Sequence, residues 1–220
     1  MRSISRTTPL LRPRQADGKR RAPRAFWCSA RRLRLQQAFA LDHTPRAPVP
    51  AAQRGDQALA LTPQGPALAR WGVTPRPDAR PKAALDARRL DDPSTWAHAP
   101  LQRVAIPATS WLARGQVYAA MHRHRLFALA ALAARCPLSD ALAFILLTVP
   151  ATGELRRHAR VAPVVLSPLL AQRWVHGNTD EAHALARRQL ALPPRLVVVQ
   201  APGSPPDSTS ARRRRSRAAS

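Results

Sequence analysis

Five short apolar runs, Val104 to Ile106, Gln116 to Ala120, Leu126 to Ala133, Leu142 to Val149 and Pro163 to Leu166, follow one another with only charges and turn formers between them. Runs so brief and so closely spaced suit strands better than globular helices, and they predict an antiparallel, β-rich core. The longest apolar stretch, Leu126 to Val149, could span a bilayer by length, but Arg135, Pro137 and Asp140 break its middle. A charge near the centre of a span costs about 2.5 to 3.5 kcal/mol. Two strands joined by a turn are therefore expected, and no membrane span.

Around this core the helical signals are few. Leu35, Ala38 and Phe39 recur at helical spacing between Ala30 and Leu41, with Arg31, Arg32 and Arg34 off that face. Ser167 before Pro168 reads as a helix start, with Leu169, Leu170 and Trp174 inward. Thr179 is expected to cap a second helix that turns Ala182, Leu185 and Ala186 inward. Residues 42 to 101 are interrupted by Pro and Gly and predict a loop-rich half, with extended pieces only at Ala58 to Leu61 and Leu68 to Val73. Leu196 to Gln200 reads as an added strand. The expected class is α+β, β-rich and mostly antiparallel, with a few short helices. One domain is placed at 27–200, between a disordered basic extension at 1–26 and a disordered Arg-rich tail at 201–220.

The chain carries 36 basic against 12 acidic side chains, a formal charge of +24, and only Lys19 and Lys82 among the basic residues are not Arg. Such a balance predicts a polyanionic partner. Codon bias in a GC-rich genome would fill a surface with Arg, Ala and Pro equally well, and a spurious reading frame that folds poorly has the same composition. Cys28 and Cys136 are far apart, with no CxxC and no nearby His, so no metal site and no cofactor are expected. Two thiols without a secretory signal predict a reduced, cytoplasmic chain, taken as a monomer. No P-loop, GxGxxG, HExxH or Gly-x-Ser-x-Gly occurs.

Six blocks in a fixed order carry a more specific message. They are Thr44-Pro45-Arg46-Ala47-Pro48-Val49-Pro50, Arg70-Trp71-Gly72-Val73-Thr74-Pro75, Asp86-Ala87-Arg88, Arg103-Val104-Ala105-Ile106-Pro107-Ala108, Phe127 to Leu132, and Ile145-Leu146-Leu147-Thr148 with His158, Arg160 and Pro163-Val164-Val165-Leu166 beyond it. This succession resembles the SOS response-associated peptidase (SRAP) family, whose members sense abasic sites in single-stranded DNA. The resemblance covers residues 28 to 175. It implies single-stranded DNA as partner and a role in the DNA-damage (SOS) response. It also implies a cysteine, exposed as the first residue, whose amine and thiol close a thiazolidine on the sugar aldehyde.

Residue by residue, the family's chemistry is depleted. Cys28 stands where the family's Cys-Gly-Arg begins, but it is internal and its amine is in a peptide bond. The family's acid/base glutamate falls on Ala113, and its asparagine on Asp86, whose negative charge is expected to repel phosphate. His158 keeps its spacing from Thr148 and is the remaining candidate; the resemblance implies that it protonates the sugar, and a half-buried polar residue at a strand edge is the alternative. Arg31, Arg70, Arg88, Arg103 and Arg160 are implied as DNA contacts, and Trp71 either lines the DNA channel or fills the core with one edge exposed. Three readings follow: a binder of single-stranded DNA impaired in abasic-site crosslinking, an active crosslinking and self-cleaving peptidase after processing before Cys28, or the product of a decayed gene.

Overall fold

The computed structural model describes residues 25–28, 30–45, 51–74, 81–90, 101–114, 117–121, 126–136, 141–191 and 196–200. The tail and residues 1–24 lie outside them. Val104 to Ile106, Phe127 to Ala133 and Ala143 to Val149 lie in strands buried on both faces, which is why these runs read as continuous and not alternating. In chain order the elements are β1 (Ala25–Trp27), α1 (Arg32–Phe39), β2 (Ala51–Gln53), β3 (Gln57–Thr62), β4 (Gly65–Trp71), β5 (Ala84–Asp86), β6 (Gln102–Ala108), β7 (Ser110–Arg114), β8 (Val117–Met121), β9 (Phe127–Arg135) and β10 (Leu142–Pro150). Then come β11 (Val161–Pro163), β12 (Val165–Leu166), α2 (Pro168–His176), α3 (Thr179–Ala191) and β13 (Leu196–Gln200). Short 3-10 turns occupy Ala87–Arg89 and Gly153–Arg157. The α+β class, rich in mostly antiparallel strands, is the class expected.

The larger sheet closes on itself. β10 pairs with β9, β9 with β6, β6 with β3 and β3 with β4, all antiparallel, and β4 returns to β10 in parallel. Past the pair Leu146↔Ala131 the strands β9 and β10 separate, and the segment from β11 to β12 fills the seam. Thr148 pairs with Pro163 on one side and Ala128 with Leu166 on the other. Val164 stitches the two, its N–H donating to Leu147 O at 2.9 Å and its carbonyl accepting from Ala130 N at 2.9 Å. The smaller sheet runs β13-β8-β7-β1-β2 and is antiparallel throughout.

Several expectations shift. Ala25 and Phe26, assigned to the extension, belong to β1, and Phe26 is buried against Trp71 and Phe144 at ring distances of 5.2 and 6.4 Å. The half expected to be loop-rich carries β2 to β5, with Gly55 and Pro63 at the turns that separate β2 from β3 and β3 from β4. At the β3–β4 turn Gly65 has φ +112°, and Thr62 Oγ1 accepts from Gln64 N and donates to Gly65 O at 2.8 Å. α2 starts as expected, Ser167 Oγ accepting from Leu170 N, and its Trp174 indole donates to Val104 O at 3.0 Å, fastening the helix to β6. α3 is capped by Asn178 and not Thr179: Asn178 Oδ1 accepts from Glu181 N at 2.8 Å. No helix among the described residues is long and apolar enough to cross a membrane.

α1 ends on Ala40, at φ 50° and ψ 52°, the single non-glycine residue with positive φ among those described. An L side chain in this conformation costs roughly 1 kcal/mol, and glycine removes that cost. Ala40→Gly should therefore raise the free energy of unfolding by about 0.5 to 1 kcal/mol, read as a higher urea midpoint at unchanged slope.

Candidate functional site

β10 changes partners halfway along, and the site lies at that change. Its first half pairs with β4 (Phe144↔Trp71) and its second half with β5 (Leu147↔Leu85, Thr148↔Asp86). Between the two the chain leaves through Gly72, at φ +127°, whose N–H donates to Phe144 O at 2.8 Å. It comes back through a bridge between Val73 and Lys82. Ala83 O then accepts both Leu146 N at 3.1 Å and the Trp71 indole N–H at 2.8 Å. The result is an open cleft of about 300 Å³ lined by Arg54, Lys82, Ala83, Ala84, Asp86, Thr148 and Val161.

The polar groups of this cleft are set by short-range bonds. Buried Thr148 donates from Oγ1 to Leu85 O at 3.0 Å, which locks β5 against β10. Asp86 caps the Ala87–Arg89 turn, Oδ1 accepting from Arg88 N at 3.1 Å, and its carboxylate holds the Arg88 guanidinium through Nε at 3.0 Å and a second nitrogen at 2.6 Å. That bond and the Asp86 charge push the Arg88 pKa up from its ordinary value. The expectation that Asp86 repels phosphate is corrected here, because the two side chains form a neutral pair. Arg88 in turn meets an approaching phosphate as half of an ion pair.

The expected site residues are distributed unequally. Arg70 is exposed, and its Nε donates to Gly55 O at 3.0 Å, which carries its guanidinium to the Arg54–Gly55 turn beside the cleft. Arg31, at the N-terminus of α1, and Arg160 are exposed. Arg103 is half-buried, and its guanidinium donates to Trp174 O at 2.8 Å and to Gly177 O, where it caps the C-terminal carbonyls of α2. Trp71 fills the core without the exposed edge expected of it. It is 1% exposed, stacked on Phe144 at 6.2 Å, and presents neither a ring face nor an edge to a base. Ala113 lies in β7 and brings no ionisable group.

His158 and Cys28 stand apart from the cleft lining. His158 is half-buried after the Gly153–Arg157 turn, its N–H on Leu155 O at 2.9 Å, in a loop tied at its base by Ala151 N donating to Arg160 O at 3.0 Å. Cys28 is half-buried against the core, and its thiol pKa is raised by burial, with a hydrogen bond from the Ala30 backbone offsetting part of the rise. A thiol so placed is a poor nucleophile. Ala25–Trp27, immediately before Cys28, form β1, which pairs with both β2 and β7. Cleavage before Cys28 would remove Phe26 from the aromatic cluster, and loss of a core Phe side chain typically costs about 3 to 5 kcal/mol. Neither Cys28 nor Cys136 is in a disulfide. Arg54 and Lys82 were not singled out from sequence; the rarity of lysine in this chain was the one available signal for Lys82.

No protein-family model matches the chain, and no curated protein matches it. Solved structures do. A Bordetella bronchiseptica protein determined as a structural-genomics target superposes with a TM-score of 0.64 at 18% identity, over 81% of this chain and 99% of its own. A phage-related protein of the same organism gives 0.58 at 21% identity, over 84% of this chain and 100% of its own. A protein from Bacteroides thetaiotaomicron gives 0.57 at 13% identity, over 74% of this chain and 85% of its own. At these identities the likeness is one of fold.

Two outcomes follow from the geometry. Trp71→Phe keeps the aromatic stack but removes one of the two donors to Ala83 O, which still accepts from Leu146 N, so it should destabilise the fold by about 0.5 to 1.5 kcal/mol in chemical denaturation. The second concerns pH. Folding holds the Cys28 proton more tightly than the unfolded chain does, so this group's contribution to stability is complete below the ordinary thiol pKa and is lost as pH rises through the raised one. In a Cys136→Ser background, alkylation of Cys28 should accordingly be slower in the folded than in the urea-unfolded protein at mildly alkaline pH.

Proposed function

We propose that this chain is a SRAP-related protein of the DNA-damage response that holds single-stranded DNA, including strands with abasic sites, at the cleft where β10 changes partners, and that it does not form the family's cysteine–DNA ring. The observation that carries the reading is convergence. The Asp86-Ala87-Arg88 block and the Ile145-to-Thr148 block are far apart in sequence and meet as paired residues at the cleft, Asp86 opposite Thr148. The Trp71-Gly72 pair of a third block supports the same place through Ala83. Arg54, Arg70 and Lys82 supply positive charge there, and phosphate contacts of this kind dominate single-strand affinity.

The same geometry supports the absence of the ring chemistry. A thiazolidine needs an amine and a thiol on one residue, and Cys28 has neither a free amine nor a place in the cleft. Ala113 supplies no proton-transfer group. Activation by cleavage before Cys28 is disfavoured because it would strip β1 from the smaller sheet.

If about five phosphates are neutralised, the logarithm of the binding constant for single-stranded DNA should fall with log salt at a slope near −3.5. Fluorescence anisotropy over a salt series measures it, and a slope near zero would sink the reading. Incubation of the full-length chain with abasic single-stranded DNA should give no heat-stable adduct on a denaturing gel. A strong adduct from the uncleaved chain, confirmed by mass, would show that the ring chemistry survives.

A further inference from the structure

The function above uses Lys82 only as a positive charge and leaves its amine chemistry aside. Lys82 carries the only side-chain primary amine among the described residues, in a chain whose other positive charges there are guanidiniums. The difference is chemical. A guanidinium stays protonated and binds anions, whereas a lysine amine can give up its proton and attack a carbonyl. The backbone of Lys82 is fixed on both sides, its N–H donating to Val73 O at 2.8 Å and its carbonyl accepting from Val73 N at 3.0 Å. Its side chain is exposed in the cleft, and no hydrogen bond or ion pair among the described residues engages the ammonium. Facing it are the Asp86 carboxylate, already neutralised by Arg88, and the Arg54 side chain.

We infer that Lys82 is a reactive amine which condenses reversibly with the ring-opened aldehyde of an abasic site held in this cleft. The inference rests on the reading that the cleft binds such DNA. The ammonium of Lys82 first loses a proton. The nitrogen lone pair then forms a bond to the aldehyde carbon, and the carbonyl electron pair moves to oxygen, which is protonated. The carbinolamine so formed expels that oxygen as water with a second proton, leaving a protonated imine. One ammonium and one aldehyde thus give one iminium and one water, with no oxidant or reductant. The cleft volume of about 300 Å³ lies within the range of small-ligand sites. Arg54 is placed to attract a phosphate flanking the sugar. An imine hydrolyses when the protein is denatured, so this chemistry leaves no heat-stable adduct unless it is reduced.

The test is borohydride trapping with the full-length protein and labelled single-stranded DNA carrying one abasic site, with trapped product normalised to DNA bound under the same conditions. A denaturation-stable product is expected only with borohydride, and peptide mapping should place it on Lys82. Lys82→Arg keeps the charge and removes the nucleophile, and should lower the normalised yield by about tenfold or more. Lys82→Gln should behave alike, while Lys19→Arg and Cys28→Ser should trap as the wild type does. Thermal melts verify that each variant is folded. Equal trapping by Lys82→Arg, or mapping to Lys19 or the Met1 amine, would overturn the inference and leave DNA binding standing. Failure of the wild-type protein to bind single-stranded DNA at all would overturn both.

Discussion

Backbone pairing along β10 is the constraint from which the rest of the structure takes its position. The strand is buried without interruption from Ala143 to Val149, so water can satisfy none of its central amides and carbonyls. Both edges must be paired along the whole length, yet no single neighbour covers either edge. On one side β9 serves the first half and β11 the second; on the other β4 gives way to β5. The first change falls at Leu147 and the second at Ile145. Where β4 leaves and β5 arrives the wall is interrupted, and the cleft occupies that interruption. The opening therefore follows from how one buried strand is paired.

The same accounting explains where part of the charge goes. With three times as many basic as acidic side chains, ion pairs can absorb only a minority of the arginines. Arg88 takes Asp86 and Arg173 takes Glu181, one of the chain's two glutamates. Arg103 instead finds the carbonyls at the end of α2, where the partial negative charge of a helix C-terminus replaces the missing acid. A formal charge of +24 is thus a poor guide to which guanidiniums a polyanion meets.

How much was legible in the sequence depends on whether the signal was local. β6, β9 and β10 were visible because a strand buried on both faces is a continuous apolar run, and α2 was visible because Ser167 and Pro168 sit next to each other. β2 and β5 were not, being three residues each with no room for a pattern. Asn178 and Thr179 are both good caps, and only the backbone decides between them. At the site, Asp86 and Thr148 could be found from the order of the motif blocks. Arg54 and Lys82 reach the cleft from a turn and an isolated bridge, through pairings that no sequence periodicity encodes. The intramolecular partners of Trp71 and Arg103 were hidden for a related reason: Ala83 O and the end of α2 come into reach only on folding.

The position of β1 bears on any chemistry at this cleft. A free amine on Cys28 requires the chain to begin there, and a chain that begins there lacks β1. Without β1 the smaller sheet loses the strand between β7 and β2, and Trp71 and Phe144 lose the ring of Phe26. A free terminal amine at Cys28 and the complete aromatic core therefore exclude each other, so an amine acting at this cleft must come from a side chain or from a terminus elsewhere. Among the described residues only Lys82 meets the first condition, and its backbone is held through Val73 on the path that connects β4 to β5. The pairing of β10 that opens the cleft thus also holds the lysine at its edge.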